Sequence, residues 1–424
     1  MISSVAASPS APTAPRLRRS LSARTVHPHL IALDVFLIGW CVAAWDMWYV
    51  DNRRHSLITA FGLLVIVLAP KRSIISMRVS LTIVPILSWI VLSRFWSWNV
   101  GYFNANFVKT IIDAPVLMVV AAVVPWERLV QRLLLWFYVA VAFTYAYSLL
   151  YEEARLMITP GEQTWSWHGS FPHKNTMLMF LVFGLAVVLG FETRRRARRI
   201  AEVAVAVLIV LSHSTTGLGV LVVVAAVVFW IKMLQAERTS RRAGFLLVTA
   251  VAGVGMLAAG MYSVPFVAEA AGKDTTFSGR TEIWAACWWA IGREPWLGYG
   301  WGGVFTGTNV SPTREMVQMI GFDAANAHNG VLDVLLNLGW VGLAAYLVFL
   351  APLCARGWFL VKAHDPLGTT VMVFVATLLF ISISEPVFLL AQFAVVAMLH
   401  PPVLSRVPRS AHARREAIAA ATAR

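Results

Sequence analysis

Charge is what this sequence has least of. Asp, Glu, Lys and Arg together make up 13% of its 424 residues, against about a quarter in an ordinary soluble domain. With 58% hydrophobic residues and a mean hydropathy of +0.70, a soluble globular chain is excluded. Cysteine is nearly absent. Cys41, Cys287 and Cys354 lie far apart and form no CxxC pair, so neither a disulfide framework nor a thiolate zinc site is indicated. Acidic residues are scarcer than basic ones, 21 against 35, which gives a formal net charge of +14. No small-residue cleavage site follows the first apolar run, so a removable signal peptide is not expected.

What the chain has instead is apolar runs, at residues 30–50, 56–69, 79–92, 107–124, 129–150, 177–191, 201–211, 218–234, 245–262, 331–353, 369–383 and 387–399. A membrane-crossing helix needs about 20 residues, so several runs must extend into flanking polar or aromatic residues, and 201–211 is the weakest. The expected fold class is all-α: a polytopic membrane protein with about ten to twelve transmembrane helices and a large outward-facing loop. Its expected organisation is a cytoplasmic tail (1–29), nine helices (30–263), a periplasmic catalytic loop (264–329), three helices (330–404) and a second cytoplasmic tail (405–424). Lysines and arginines stay preferentially on the cytoplasmic side. With the N-terminus inside, most of the 35 fall in inner segments, densest at Arg194-Arg195-Arg196-Ala197-Arg198-Arg199. Arg53-Arg54 is the exception. The positive charge therefore reads as an anchoring pattern, and a nucleic-acid surface is the poorer reading.

That topology, drawn from the basic residues alone, gathers four polar clusters on the outer side. They are Trp165-Ser166-Trp167-His168-Gly169-Ser170-Phe171-Pro172-His173-Lys174-Asn175, Ser212-His213-Ser214-Thr215-Thr216-Gly217, Ser278-Gly279-Arg280-Thr281-Glu282-Ile283-Trp284 and Ala327-His328-Asn329-Gly330. Ionisable groups near a membrane are costly and tend to be functional. From Arg280 to Gly292, Ile283, Trp284, Cys287, Trp288 and Ile291 recur at helical spacing with Pro295 beyond, which predicts an amphipathic helix at the outer interface, capped by Ser278 or Gly279. Arg280 then sits in the first turn, where a cation is unfavourable by ~0.3–1 kcal/mol for the helix alone. Two readings are open. Either an anionic ligand shares the guanidinium and the helix N–H groups, or Arg280 pairs with Glu282, Glu294 or a lipid headgroup. Pro172 suits a first helical turn, which brings His173, Lys174 and Asn175 to the positive end of a span. His328 beside Asn326 and Asn329 is the side chain best matched to proton transfer near neutral pH, and Asp333 is a candidate to orient it.

Other patterns carry less. The run Gly298–Gly303 has no following Lys-Ser/Thr and is not a nucleotide P-loop. His168, His173, His213 and His328 lack the i,i+4 pairing or carboxylate backing of a metal site, and no cofactor or metal is indicated. Asp34, Asp46 and Asp113 are intramembrane carboxylates that serve either packing or substrate contact.

The motifs at 169–175, 212–217, 278–284 and 327–330, with Pro295-Trp296-Leu297-Gly298-Tyr299-Gly300 and Leu338-Gly339-Trp340-Val341-Gly342-Leu343, occur together between about Trp165 and Leu350. In that order they resemble the O-antigen ligase and polysaccharide polymerase superfamily (Wzy/WaaL-like), nearest its exopolysaccharide-production, ExoQ-like branch. The resemblance implies a metal-independent glycosyltransferase of the bacterial inner membrane with its site on the periplasmic face. Its donor would be a glycan on undecaprenyl or another polyprenyl pyrophosphate, its acceptor a sugar hydroxyl. Membrane lipid and other polysaccharide export proteins are the further expected partners. Carried over, His328 is the base toward the acceptor and Arg280 holds the pyrophosphate, helped by Lys174. His173, Asn175, Asn329, Glu282, His168 and Ser214 are the expected substrate-binding residues. Family members often carry Arg where this chain has His168, so a second permanent cation is missing or comes from elsewhere. A polymerase is expected, with a ligase acting on a lipid core as the alternative. A secondary transporter is the reading from another class; it would place polar groups at broken helices near the bilayer midplane.

Overall fold

In a computed structural model of the chain, residues 28–45, 52–101, 111–159, 162–235, 279–305, 311–388 and 391–406 are described. The apolar run at 245–262, Ser278 and Asp46 lie outside them. The helices are α1 (Pro28–Trp45), α2 (Asn52–Val67), α3 (Lys71–Ser76), α4 (Ile83–Leu92), α5 (Asp113–Val123), α6 (Trp126–Leu150), α7 (Lys174–Phe191), α8 (Arg195–Leu211) and α9 (Thr215–Leu234). They continue with α10 (Arg280–Arg293), α11 (Thr313–Ile320), α12 (Gly330–Lys362), α13 (Pro366–Ile381) and α14 (Ala391–Arg406). A short antiparallel hairpin, β1 (Leu156–Thr159) with β2 (Glu162–Trp165), follows α6. The protein is an all-α polytopic membrane protein. Among the described residues α6, α7, α9 and α12 are long and apolar enough to cross a bilayer, and five shorter apolar segments accompany them. The weakest predicted span, 201–211, is the second half of α8, whose first turns hold the arginine run.

Local chemistry sets where these helices start. Asp365 caps α13, its carboxylate accepting from the Leu367 N–H at 2.9 Å, and Pro366 occupies the first helical position, where its missing N–H costs nothing. Helix α13 runs through the middle of the bundle, packed against α7, α9, α12 and α14. Polar atoms are satisfied within it: the Thr370 hydroxyl donates to Ala186 O at 3.1 Å across to α7. Several helix ends are tied by charge. Arg406 pairs with Glu127 at 3.1 Å and Asp365 at 3.2 Å, Arg132 pairs with Asp34 at 3.1 Å, and Arg194 pairs with Glu192 at 3.1 Å. Asp34 and Asp113 are thus structural carboxylates. Trp136 also donates to Asp34, and Thr59 donates to Asp113 at 2.6 Å.

The glycine-rich run has a packing role that its sequence did not disclose. Helix α12 breaks at Gly339, whose φ of 64° and ψ of −170° are open only to glycine. The break frees backbone groups, and the loop after α10 takes them up: Tyr299 N donates to Leu336 O, Trp340 N to Pro295 O and Val341 N to Trp296 O. Trp89 of α4 donates to Leu338 O at 2.9 Å, and Gly302 N donates to the Asn337 side chain at 2.6 Å. A Cβ on Gly339 would overlap the Trp296 carbonyl, and one on Gly298 would meet the backbone of residues 336–339. The broken helix is therefore filled by the chain's own backbone, which leaves no room there for the midplane ligand a transporter would bind.

Candidate active site

Four helices open on one place. Their first residues are Lys174 (α7), Thr215 (α9), Arg280 (α10) and Gly330 (α12), and their caps are His173, Ser214, Gly279 and Asn329. Each cap but the glycine accepts from its own first turn: His173 Nδ1 from Asn175 N at 3.1 Å, Ser214 Oγ from Gly217 N at 3.1 Å, and Asn329 Oδ1 from Val331 N and Leu332 N. Pro172 therefore precedes α7 instead of starting it, because the histidine takes the capping position. Helix N-termini carry partial positive charge, and four of them converging favour an anionic group between them.

What gathers them is the turn after α13, residues 382–386. Ser382 O accepts from Gly330 N at 2.7 Å, Ile383 O from the Asn329 amide at 3.2 Å, and Ser384 Oγ lies 3.0 Å from Thr216 Oγ1. Glu385, 7% exposed, then connects the remaining two helices. Its Oε1 accepts from Asn175 Nδ2 at 2.6 Å and from Arg280 Nη2 at 3.3 Å, while its Oε2 lies 4.0 Å from His328 Nδ1. Ser214 extends the network by donating to Asn175 Oδ1 at 3.1 Å. Sequence reasoning missed Glu385. The available signal was Ser382-Ile383-Ser384-Glu385-Pro386, a glutamate–proline turn between two apolar runs on the same predicted side as the other clusters. It also displaces two expectations. The carboxylate facing the His328 imidazole is Glu385, not Asp333, and Arg280 pairs with Glu385 instead of Glu282 or Glu294.

The electrostatics suit proton transfer. Burial, with Arg280 beside it, pushes the His328 imidazole down to about 4, so it is neutral near pH 7. Its φ is 45°, and Nδ1 is buried with no hydrogen-bond partner among the described residues. The His328 N–H is held by Asn326 Oδ1 at 2.8 Å. His173 is also pushed down to about 4, by burial first and then by Lys174, His328, His168 and Arg280. Burial pushes Glu385 up to about 7 against the opposing pull of Arg280 and Asn175. A neutral imidazole thus faces a carboxyl group poised near neutral pH.

The other predicted residues take outlying places. His168 is held on both ring nitrogens by backbone carbonyls, Nδ1 at 2.6 Å from Phe171 O and Nε2 at 3.4 Å from Leu156 O. Glu282 accepts from Thr281 Oγ1 at 2.9 Å and stands outside the network. His213 is exposed in the α8–α9 turn. Helix α10 buries Ile283, Ala286, Cys287, Ala290 and Ile291 against α11 and the first turns of α12, and this second core fixes Arg280. Trp284 donates to Ala327 O at 3.1 Å, tying the arginine helix to the residue before His328. Among the described residues, no three His, Cys, Asp or Glu side chains gather closely enough to hold a metal ion.

Residues 200–347 match the family model described as O-antigen ligase. Over that segment the chain is similar to O-antigen ligases. That segment holds Ser214, Arg280, Glu282, His328 and Asn329, whereas His173, Lys174, Asn175 and Glu385 lie outside it and reach the site through the fold; the outlying His168 is outside it as well. No curated protein matches the chain. That likeness, in a multi-pass membrane protein, points to a ligase- or polymerase-type membrane enzyme.

Proposed function

We propose that the protein is a glycan polymerase of the ExoQ-like branch, joining repeat units carried on polyprenyl pyrophosphate at the outer face of the bacterial inner membrane. The observation that carries this reading is the convergence of four helix N-termini, Arg280 and Lys174 around Glu385 and His328. Depth supports it. The 18 residues of α7 separate Lys174 from the Glu192–Arg194 pair, about 27 Å at 1.5 Å per residue, close to the hydrocarbon thickness of a bilayer. With the arginine-rich ends inside, the site meets the outer headgroup layer, where a carrier's pyrophosphate lies.

An acceptor hydroxyl attacks the donor's anomeric carbon, and its proton passes to neutral His328. The bond from that carbon to the pyrophosphate oxygen breaks, and the electron pair leaves on the carrier phosphate. Arg280, Lys174 and the helix N-termini stabilise that growing charge more than they stabilise the ground state. The pyrophosphate replaces Glu385 as the partner of Arg280, since a guanidinium binds two phosphate oxygens at once. The freed carboxylate then faces the imidazolium. The likeness of residues 200–347 to O-antigen ligases favours a second reading, a ligase that passes finished polymer to a lipid core.

His328→Ala tests the base: turnover should fall ~10²-fold or more while donor affinity stays nearly unchanged. Near-normal polymer formation in a membrane assay would move the base elsewhere, with His173 or His168 next. Glycan analysis of a deletion strain separates the two readings. Single repeat units left on carrier support the polymerase, and full-length unattached polymer supports the ligase.

A further inference from the structure

Arg155 has no role in the site just described, and the one contact found for its guanidinium among the described residues is with an aromatic ring. It closes the one-turn 3-10 helix Glu153–Arg155 between α6 and β1. The backbone around it is firmly tied to the loop that enters the site. Ser166 N donates to Arg155 O at 2.7 Å, and His168 N and Gly169 N both donate to Ala154 O at 3.0 and 3.1 Å. The guanidinium lies over the indole of Trp165, 5.4 Å from the ring centre, in cation–π range. Its Nε is buried without a hydrogen-bond partner among the described residues, and no ion pair to it is found among them. Ser170 Oγ, two residues past His168, is likewise buried without a partner. A guanidinium with a buried idle donor is costly unless something fills it.

Trp165 is 53% exposed, and Tyr151 beside the turn is 49% exposed with its ring 4.6 Å from that of Tyr147. An exposed indole next to an idle guanidinium can take an apolar sugar face and an oxyanion together. The tethers of Ser166, His168 and Gly169 to residues 154 and 155 hold Arg155 beside the loop that leads into His173 and Lys174, where a flanking sugar of a bound glycan would lie.

We propose that Arg155 and Trp165 form a flanking subsite for an acidic sugar, the indole stacking on the ring and the guanidinium binding its carboxylate, so that the glycan handled here is an anionic polysaccharide. This rests on the reading of the site as a glycan transferase. It is tested by equilibrium binding to the full-length protein in nanodiscs. Three probes serve: a tetrasaccharide alternating glucuronic acid and glucose, the same tetrasaccharide with its carboxyls reduced to alcohols, and inorganic pyrophosphate. The acidic tetrasaccharide should bind at least tenfold more tightly than the reduced one. Arg155→Gln should erase that difference, Arg155→Lys should keep part of it, and Trp165→Ala should weaken both tetrasaccharides alike. Pyrophosphate binding should be unchanged in Arg155→Gln. Because the loop's tethers use backbone and not the Arg155 side chain, these variants should fold. Equal binding of the two tetrasaccharides, or a difference that survives Arg155→Gln, overturns the subsite. Weakened pyrophosphate binding in Arg155→Gln also overturns it, assigning the guanidinium to the donor phosphate. Binding is read without turnover, so these failures leave the His328 test standing; a parent protein that does not bind pyrophosphate at all would count against the transferase reading itself.

Discussion

Glu385→Gln isolates one contact in the network. Both hydrogen bonds that hold the carboxyl group, from Asn175 and Arg280, end on Oε1, while Oε2 alone faces His328 across 4.0 Å. A glutamine keeps an oxygen at the first position and puts an uncharged NH2 at the second. The structure should therefore survive, while the charge that stabilises a protonated His328 and pairs with Arg280 is removed. A full charge pair at that distance interacts by ~4 kcal/mol at an effective dielectric of about 20. Arg280 draws on the same carboxylate and reduces that value, so turnover should fall ~10–10²-fold, with the donor Michaelis constant little changed. The pH profile supplies the sharper evidence. Glu385 is raised to about 7 by burial, so the needed carboxylate is lost as pH falls through about 7, and activity should drop about tenfold per pH unit below it until it levels off near the rate of the glutamine variant. His328, lowered to about 4 by burial and Arg280, keeps its lone pair until far more acid pH and does not set that limb. In Glu385→Gln the limb near 7 should disappear, leaving activity flat down toward 4. Steady-state rates with lipid-linked donor in nanodiscs between pH 4.5 and 8.5 would show this. A limb near 7 that persists in the glutamine variant, or turnover equal to the parent, refutes the coupling of Glu385 to His328.

Arg280→Lys keeps the charge and loses the planar fork. Donor binding should weaken by about one charge-assisted hydrogen bond, ~1.5–3 kcal/mol, as read by titration with the lipid-linked donor; undiminished affinity would leave Arg280 as a structural partner of Glu385 only. Gly292 is exposed with open space at its Cβ position, so Gly292→Cys in a background without the native cysteines should react with an impermeant maleimide in intact spheroplasts. Reaction only after lysis would invert the topology. Gly339→Ala forces a side chain into a glycine-only conformation against Trp296 and should cost about 1–3 kcal/mol from the backbone conformation alone, with the clash added to it, seen as a drop in melting temperature, whereas Gly292→Ala should leave it unchanged. A stable Gly339→Ala protein would mean that the break in α12 is not as described.

Composition and charge placement determined the class of this protein. In a bilayer, backbone groups must bond within their own segment, so sparse charge and long apolar runs leave little choice beyond a helical bundle. The inside bias of arginine then proposes its orientation, which the Gly292→Cys labelling tests. Local motifs also marked Arg280, His328, Lys174 and Asn175, because capping chemistry and a cation at a helix start are readable over a few residues. Helix boundaries were less legible: the arginine run reads as a loop, yet α8 winds through it. The glycine run could be excluded as a P-loop, but its purpose could not be read, because the backbone groups it satisfies belong to a break in α12 more than thirty residues away. Glu385 was decided by tertiary structure alone. Its local signal, a glutamate–proline turn between two apolar runs, fits an ordinary turn residue as well as a site residue. It becomes part of the site only when α13 returns that turn to the N-termini of α7, α9, α10 and α12. There the removal of water raises its proton affinity and Arg280 and Asn175 supply its contacts, both properties of the surroundings that no stretch of sequence carries.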